Sequence, residues 1–124
     1  MVPEDLKYTK THEWVRMEGG QAVIGITFHA QEELGDVVHV DLPKIDTYFK
    51  KGEVFGTIES VKASSDLFMP ISGTVSEVNH TLIEQPEFVN TDAYGEGWMI
   101  TVEIENPSEL VQLLSAPQYE KSIV

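Results

Sequence analysis

Between Gly52 and Pro70 the chain has little choice but to turn back on itself at one lysine. Gly52-Glu53-Val54-Phe55-Gly56-Thr57-Ile58-Glu59 opens with turn residues and then runs β-branched and aromatic, which reads as a strand after a turn. Ser64-Ser65-Asp66-Leu67-Phe68-Met69 reads as a second strand, stopped by Pro70 because proline cannot donate to a ladder. The tip between them is Ser60-Val61-Lys62, so the spacing predicts a tight hairpin that holds Lys62 away from the body. A solvated turn lysine is the ordinary reading of such a residue.

The rest of the chain continues in short strands. Glu13 to Glu18, Gly19-Gly20 and Gln21 to Ile26 have the form of a hairpin, the glycine pair supplying positive φ for a two-residue turn. Thr27 can cap a short helix over Phe28 to Leu34, with Gly35 at its C′ position. A strand from Val37 to Leu42 ends at Pro43, and Lys44 to Lys51 reads as a connector. Gly73 to Val78 alternates in period two as a half-buried strand does, His80 to Tyr94 reads as a long polar connector, and Trp98 to Ile104 as the last strand. Asn106, Pro107 and Glu109 supply an N-cap, a proline at N1 and an acid at N3, which predicts a helix to about Leu114, broken by Pro117 before a terminal turn or short helix. Gly35-Asp36-Val37, Gly52-Glu53-Val54 and Gly73-Thr74-Val75 each start a strand, a weak repeat that implies two similar β layers.

At 124 residues the chain is expected to form a single domain over 1–124, with a loosely ordered tail at about 1–7 and a helical segment at about 107–124. Eight Lys and Arg against 21 Asp and Glu give a formal net charge of −13, a surface that repels nucleic acid and anionic membranes and suits encounter with basic protein patches. With no cysteine there is neither a disulfide framework nor a thiolate metal site. His12, His29, His39 and His80 are dispersed along the chain, so no metal is expected. The acidic N-terminus lacks a basic region followed by an apolar run, and no apolar stretch reaches spanning length, so a signal peptide and a membrane helix are not expected. The expected location is cytoplasmic, with a processed mitochondrial form as the alternative.

Glu59-Ser60-Val61-Lys62-Ala63, followed by Ser65-Asp66, resembles the lipoyl-attachment segment of the glycine cleavage system H proteins. Further markers of that family occur in order: Tyr8-Thr9-Lys10-Thr11-His12-Glu13-Trp14-Val15, Gly25-Ile26-Thr27 with Ala30-Gln31, Leu34-Gly35-Asp36-Val37-Val38, Pro70-Ile71-Ser72-Gly73, and Tyr94-Gly95-Glu96-Gly97-Trp98. The match runs over roughly residues 7 to 120. It implies a mainly β fold, the flattened β-barrel or barrel-sandwich hybrid of lipoyl domains, with short helices and a C-terminal helix. It also implies covalent lipoic acid on Lys62, recognition of Glu59 and Gly73 by the lipoate-attaching enzyme, and a cleft for the loaded arm built from Thr11, Glu13, Asp66 and His29. The implied partners are the pyridoxal-phosphate glycine decarboxylase that loads an aminomethyl group, the tetrahydrofolate-dependent aminomethyltransferase that receives it, and dihydrolipoyl dehydrogenase. Two departures fall in connectors: Asp46 stands where family members commonly have glycine, and Ala93 where they commonly have proline.

A lipoylated carrier needs no catalytic residue of its own, since the chemistry comes from the cofactor, and no convincing catalytic constellation is seen. Ser60 or Ser64 with His12 or His29 could be drawn as nucleophile and base, but nothing resembles a nucleophile elbow. Biotin carriers present Met-Lys-Met, whereas Val61 and Ala63 flank the lysine here. Lipoyl domains of 2-oxoacid dehydrogenases usually read Asp-Lys-Ala and sit on flexible linkers, which this chain lacks. The alternative is a relay protein that passes lipoate to other enzymes.

Overall fold

The turn at Gly19-Gly20 fixes the register of the larger sheet. In the computed structural model, which describes residues 2–123, β2 (Glu13–Glu18) and β3 (Gln21–Ile26) pair with Glu18 opposite Gln21. Only Gly19 of the pair takes a positive φ, 64°. The remaining strands are β1 (Lys7–Tyr8), β4 (Val37–Asp41), β5 (Tyr48–Phe49), β6 (Val54–Ser60), β7 (Ser64–Phe68), β8 (Gly73–Val78) and β9 (Ile100–Ile104). One sheet has the order β1-β2-β3-β9-β8-β5, the other β4-β6-β7, and neighbouring strands are antiparallel.

Ile24, Ile26, Val75, Ile100 and Val102 of the first sheet and Val37, Val40, Phe55, Ile58 and Leu67 of the second share one buried cluster. The sheets therefore pack face to face around a common core without closing on each other, the barrel-sandwich arrangement expected from sequence. Each glycine signal of the weak repeat stands at or just before a strand start, but the layers differ, six strands against three.

Helix α1 (Phe28–Leu34) forms as expected: the Thr27 side chain accepts from the Ala30 N–H, and Gly35 ends the helix at φ 80°. Several boundaries differ; β4 and β7 end one residue early and β9 begins at Ile100, two residues late. The connector at Lys44 to Lys51 contains β5, too short for periodicity to register, which pairs with β8. The polar connector from His80 to Tyr94 contains α2 (Thr81–Glu84) and α3 (Phe88–Thr91), single turns pinned by the buried Leu82 and Val89. Pro107–Gln112 is a 3-10 helix and not an α-helix, because Glu109 is drawn into a tertiary contact: its carboxylate accepts from the Ser72 N–H at 2.7 Å and the Ser72 hydroxyl at 3.0 Å. Pro117 lies in the first turn of α4 (Ala116–Ser122), which a capping box of Ser115 and Gln118 opens.

Met1 of the expected loose tail lies outside the described residues, and residues 2–7 of it carry structure. Leu6 is buried, Lys7 begins β1, and the Tyr8 hydroxyl donates to the Pro3 carbonyl. Tyr8 stacks on Tyr119 of α4 with ring centroids 4.8 Å apart, in a second cluster with Leu6, Trp14, Val23 and Ala116. Both departures from the family pattern are absorbed locally. Asp46 sits at φ 74°, a left-handed position that suits glycine and that Asp tolerates better than most residues. The Ala93 carbonyl accepts from the Trp14 indole at 3.0 Å.

Gly25 lies opposite Trp14, and a Cβ there would stand 2.6 Å from the indole carbons. Gly25→Ala is expected to lower stability by about 1–3 kcal/mol through overpacking, read as a lower urea midpoint at unchanged m. An unchanged midpoint would mean that the buried indole moves aside without cost.

Candidate functional site

The hairpin of β6 and β7 turns through Val61-Lys62-Ala63, one residue later than expected, because Ser60 still belongs to β6. Ser60 is buried and organises the turn: its N–H donates to the Ala63 carbonyl at 2.8 Å, and its hydroxyl oxygen accepts from the Ala63 N–H at 3.1 Å. That hydroxyl is occupied inside the tip, which removes it as a nucleophile. The Val61 N–H donates to the Asp36 carbonyl at 3.0 Å, tying the tip to the junction of α1 and β4. Lys62 is exposed, and its Cε would lie 3.5 Å from a Cβ on Gly35, so its stem runs over the bare backbone where α1 ends.

That junction is itself held from below. Asn90 of α3 accepts from the Val37 N–H at 2.8 Å and donates to the Gly35 carbonyl at 2.9 Å and to Gln31 at 2.8 Å. One buried-side amide thus fixes the helix end and the strand start on which the tip rests. Sequence reading passed over Asn90 because it lay in the stretch taken as a connector. Ser60 was read as part of the tip and weighed as a nucleophile but not as the residue that fixes the turn, although Ser two residues before a turn lysine is the available signal.

A cavity lies between α1, the Thr11–Glu13 segment and the hairpin, lined by Thr11, His12, Glu13, Glu33, Asp66 and apolar neighbours including Leu67. Three of the four residues expected to form a cleft, Thr11, Glu13 and Asp66, come together here. His29 does not line it; its ring lies 4.9 Å from that of His12. Histidines that looked scattered in the sequence are thus brought together by the β2–β3 hairpin and α1. His12 Nδ1 and the Tyr119 hydroxyl are 2.7 Å apart, and the same hydroxyl is 2.7 Å from Thr27 Oγ1. Burial pushes the Tyr119 phenol up to about 12 and lowers His12, which the neighbouring His29 lowers further.

Glu13 is 1% exposed. Its Oε1 accepts from the hydroxyls of Thr9 at 2.6 Å and Thr11 at 2.5 Å, and its Oε2 from the Phe68 N–H at 3.3 Å. Burial raises its carboxyl above the ordinary value, against the pull of those donors, chiefly Thr11 and Thr9. Asp66 is exposed and reaches the cavity directly. Glu59 is an exposed strand residue opposite His39 and Ser64. Gly73 is required by packing, since a Cβ would meet the Glu103 carbonyl at 2.5 Å.

The model of the glycine cleavage H-protein family matches residues 6–124. A glycine cleavage system H protein of Rubrobacter xylanophilus is 57% identical over 122 residues, covering 98% of this chain and 94% of that protein. One from Carboxydothermus hydrogenoformans is 53% identical over 121 residues, covering 98% and 93%. The crystal structure of a glycine cleavage system H protein from Mycobacterium marinum superposes with a TM-score of 0.91 at 38% identity, covering 98% of each chain.

Because the folded pKa of Glu13 is raised, its stabilising share is greatest below the unfolded value of 4.5 and is lost as pH rises through the folded value. Glu13→Gln removes that titration and sets an amide against the Phe68 N–H, so the variant is less stable throughout. The stability gap between parent and variant is expected to be widest in acid and to narrow as pH climbs past 4.5. Urea midpoints measured across that range check it; a gap that widens with pH would reverse the sign of the shift.

Proposed function

Since the chain belongs to the glycine cleavage H-protein family, whose members are carrier proteins of the glycine cleavage system and not enzymes, we propose that it carries lipoic acid on Lys62 and shuttles the aminomethyl group of glycine. The decarboxylase would load the group and the aminomethyltransferase would receive it, with dihydrolipoyl dehydrogenase closing the cycle. The observation that carries this reading is the tip itself. One lysine stands exposed at the end of a hairpin whose turn is fixed by Ser60 and whose flank is tied to Asp36.

The residues present fit the group. The Lys62 amine is exposed, and Gly35 leaves its stem a groove with no side chain to displace. When bound, the lipoyl group supplies a reducible disulfide at the end of a long arm, with a reach on the order of 14 Å from Cα at ~1.5 Å per bond. Everything else is done by the chain. Glu59, exposed three residues before the lysine, and Gly73, eleven after it, are the proposed marks for the lipoate-attaching enzyme.

The cavity is the proposed resting place of an amine cargo. Asp66 offers it a solvent-facing carboxylate, which favours the protonated amine and so keeps the nitrogen lone pair from expelling a thiolate. Glu13 acts differently from Asp66. Both its oxygens are engaged, so it holds the Thr11 hydroxyl with its proton turned inward and its oxygen free to accept from the cargo. His29 is removed from the lining and meets the site through His12 and Glu33.

Glycine-dependent carbon dioxide exchange with the decarboxylase tests the reading. The lipoylated parent should support exchange, Lys62→Arg should keep its fold and support none, and Asp66→Asn should load normally but release ammonia faster. Exchange that survives Lys62→Arg would overturn the assignment, and a lipoylated parent without exchange would replace it with lipoate relay.

A further inference from the structure

We propose that His12, His29 and Glu33 form a binding site for a divalent transition-metal ion of the zinc or cobalt type. The site goes beyond the carrier reading and does not depend on it.

One ligand atom from each of the three residues lies within 4.8 Å of the others. His29 and Glu33 are one turn apart on α1, and Nε2 of the first is 3.3 Å from Oε1 of the second. Metal–ligand bonds of ~2.0–2.1 Å in a tetrahedral site place neighbouring ligands about 3.4 Å apart. The helix pair already stands at that separation. Glu33 is exposed and His29 half-exposed, so small rotamer shifts bring both toward His12.

His12 is the fixed member. Its backbone is held at φ 73°, a costly conformation for a residue with a side chain, by bonds from its N–H to Thr9 and from the Thr27 N–H to its carbonyl. Its Nδ1 is engaged by Tyr119, which leaves Nε2 as the nitrogen available to an ion. In the tautomer that ligates through Nε2, the imidazole Nδ1–H would donate to the buried Tyr119 hydroxyl 2.7 Å away, and that hydroxyl would donate in turn to Thr27, also at 2.7 Å. This is the outer-shell support that metal-bound histidines require to fix tautomer and ring orientation.

The donor set decides the class of ion. Two imidazoles and one carboxylate suit zinc, cobalt or nickel, whereas magnesium and calcium prefer oxygen-only shells. A net charge of −13 raises the local concentration of any cation. Both His12 and Glu33 line the cavity, so an ion held by three protein ligands would turn its fourth position toward it, open to water or a small anionic ligand.

The test is calorimetric titration of the full, unmodified chain with Zn2+ in excess Mg2+, which occupies surface carboxylates. One equivalent is expected to bind, with affinity falling at least tenfold in His29→Ala and in His12→Asn, and about tenfold in Tyr119→Phe. Asparagine is chosen at position 12 because it tolerates positive φ. His39→Ala should bind like the parent, and Co2+ should give the intense visible bands of a four-coordinate ion. Should His12→Asn fail to fold, His29→Ala, on the half-exposed side of a short helix, still decides. Binding unchanged in His29→Ala, or abolished by Mg2+ in the parent, would overturn the site and leave only diffuse attraction to an acidic surface.

Discussion

The bond from the Val61 N–H to the Asp36 carbonyl is the constraint on which the arrangement around Lys62 depends. A two-stranded hairpin is only marginally stable by itself, and a tip free to swing would present its lysine in many directions. Here the tip leans on the end of α1, and that end is fixed by Asn90 through Val37, Gly35 and Gln31. Gly35 serves both sides of the contact. Its positive φ terminates the helix, and its missing side chain lets the Lys62 stem lie across the backbone.

The same economy of placement governs the cavity. Glu13 begins β2 directly after the strained His12, so one short segment supplies the inner carboxylate, the Thr11 hydroxyl and an oriented imidazole. Three donors converge on the buried Glu13 carboxyl from Thr9, Thr11 and Phe68 and offset part of the cost of burying it. The C-terminal helix reaches this region through Tyr119, which stacks on Tyr8 and bonds both His12 and Thr27. The helix therefore helps position the site as well as covering the sheet edge.

Much of this was legible in the sequence where a signal was both local and strong. The Gly19-Gly20 hairpin, the Thr27-to-Gly35 helix and the hairpin around Lys62 were readable from turn residues, caps and periodicity. What escaped was set by tertiary contact. The two-residue β5 exists only because β8 pairs with it, and the single turns α2 and α3 only because Leu82 and Val89 are buried. Glu109 looked like a helix-capping acid, but Ser72 of a distant loop claims it. The terminal turn or short helix expected after Pro117 is the helix α4, in which Pro117 occupies the first turn behind the Ser115–Gln118 capping box. Thr11, Glu13 and Asp66 were named from resemblance, whereas the meeting of His12 with His29 needed the fold.

The central proposal is that this framework presents Lys62 and no other lysine for lipoylation. Peptide mapping by mass spectrometry of the protein isolated from its native cell tests it most directly. The account predicts a lipoyl adduct on the peptide containing Lys62 alone; an adduct on Lys50 or Lys51, or a Lys62 peptide that is never modified in cells that make lipoate, would contradict it.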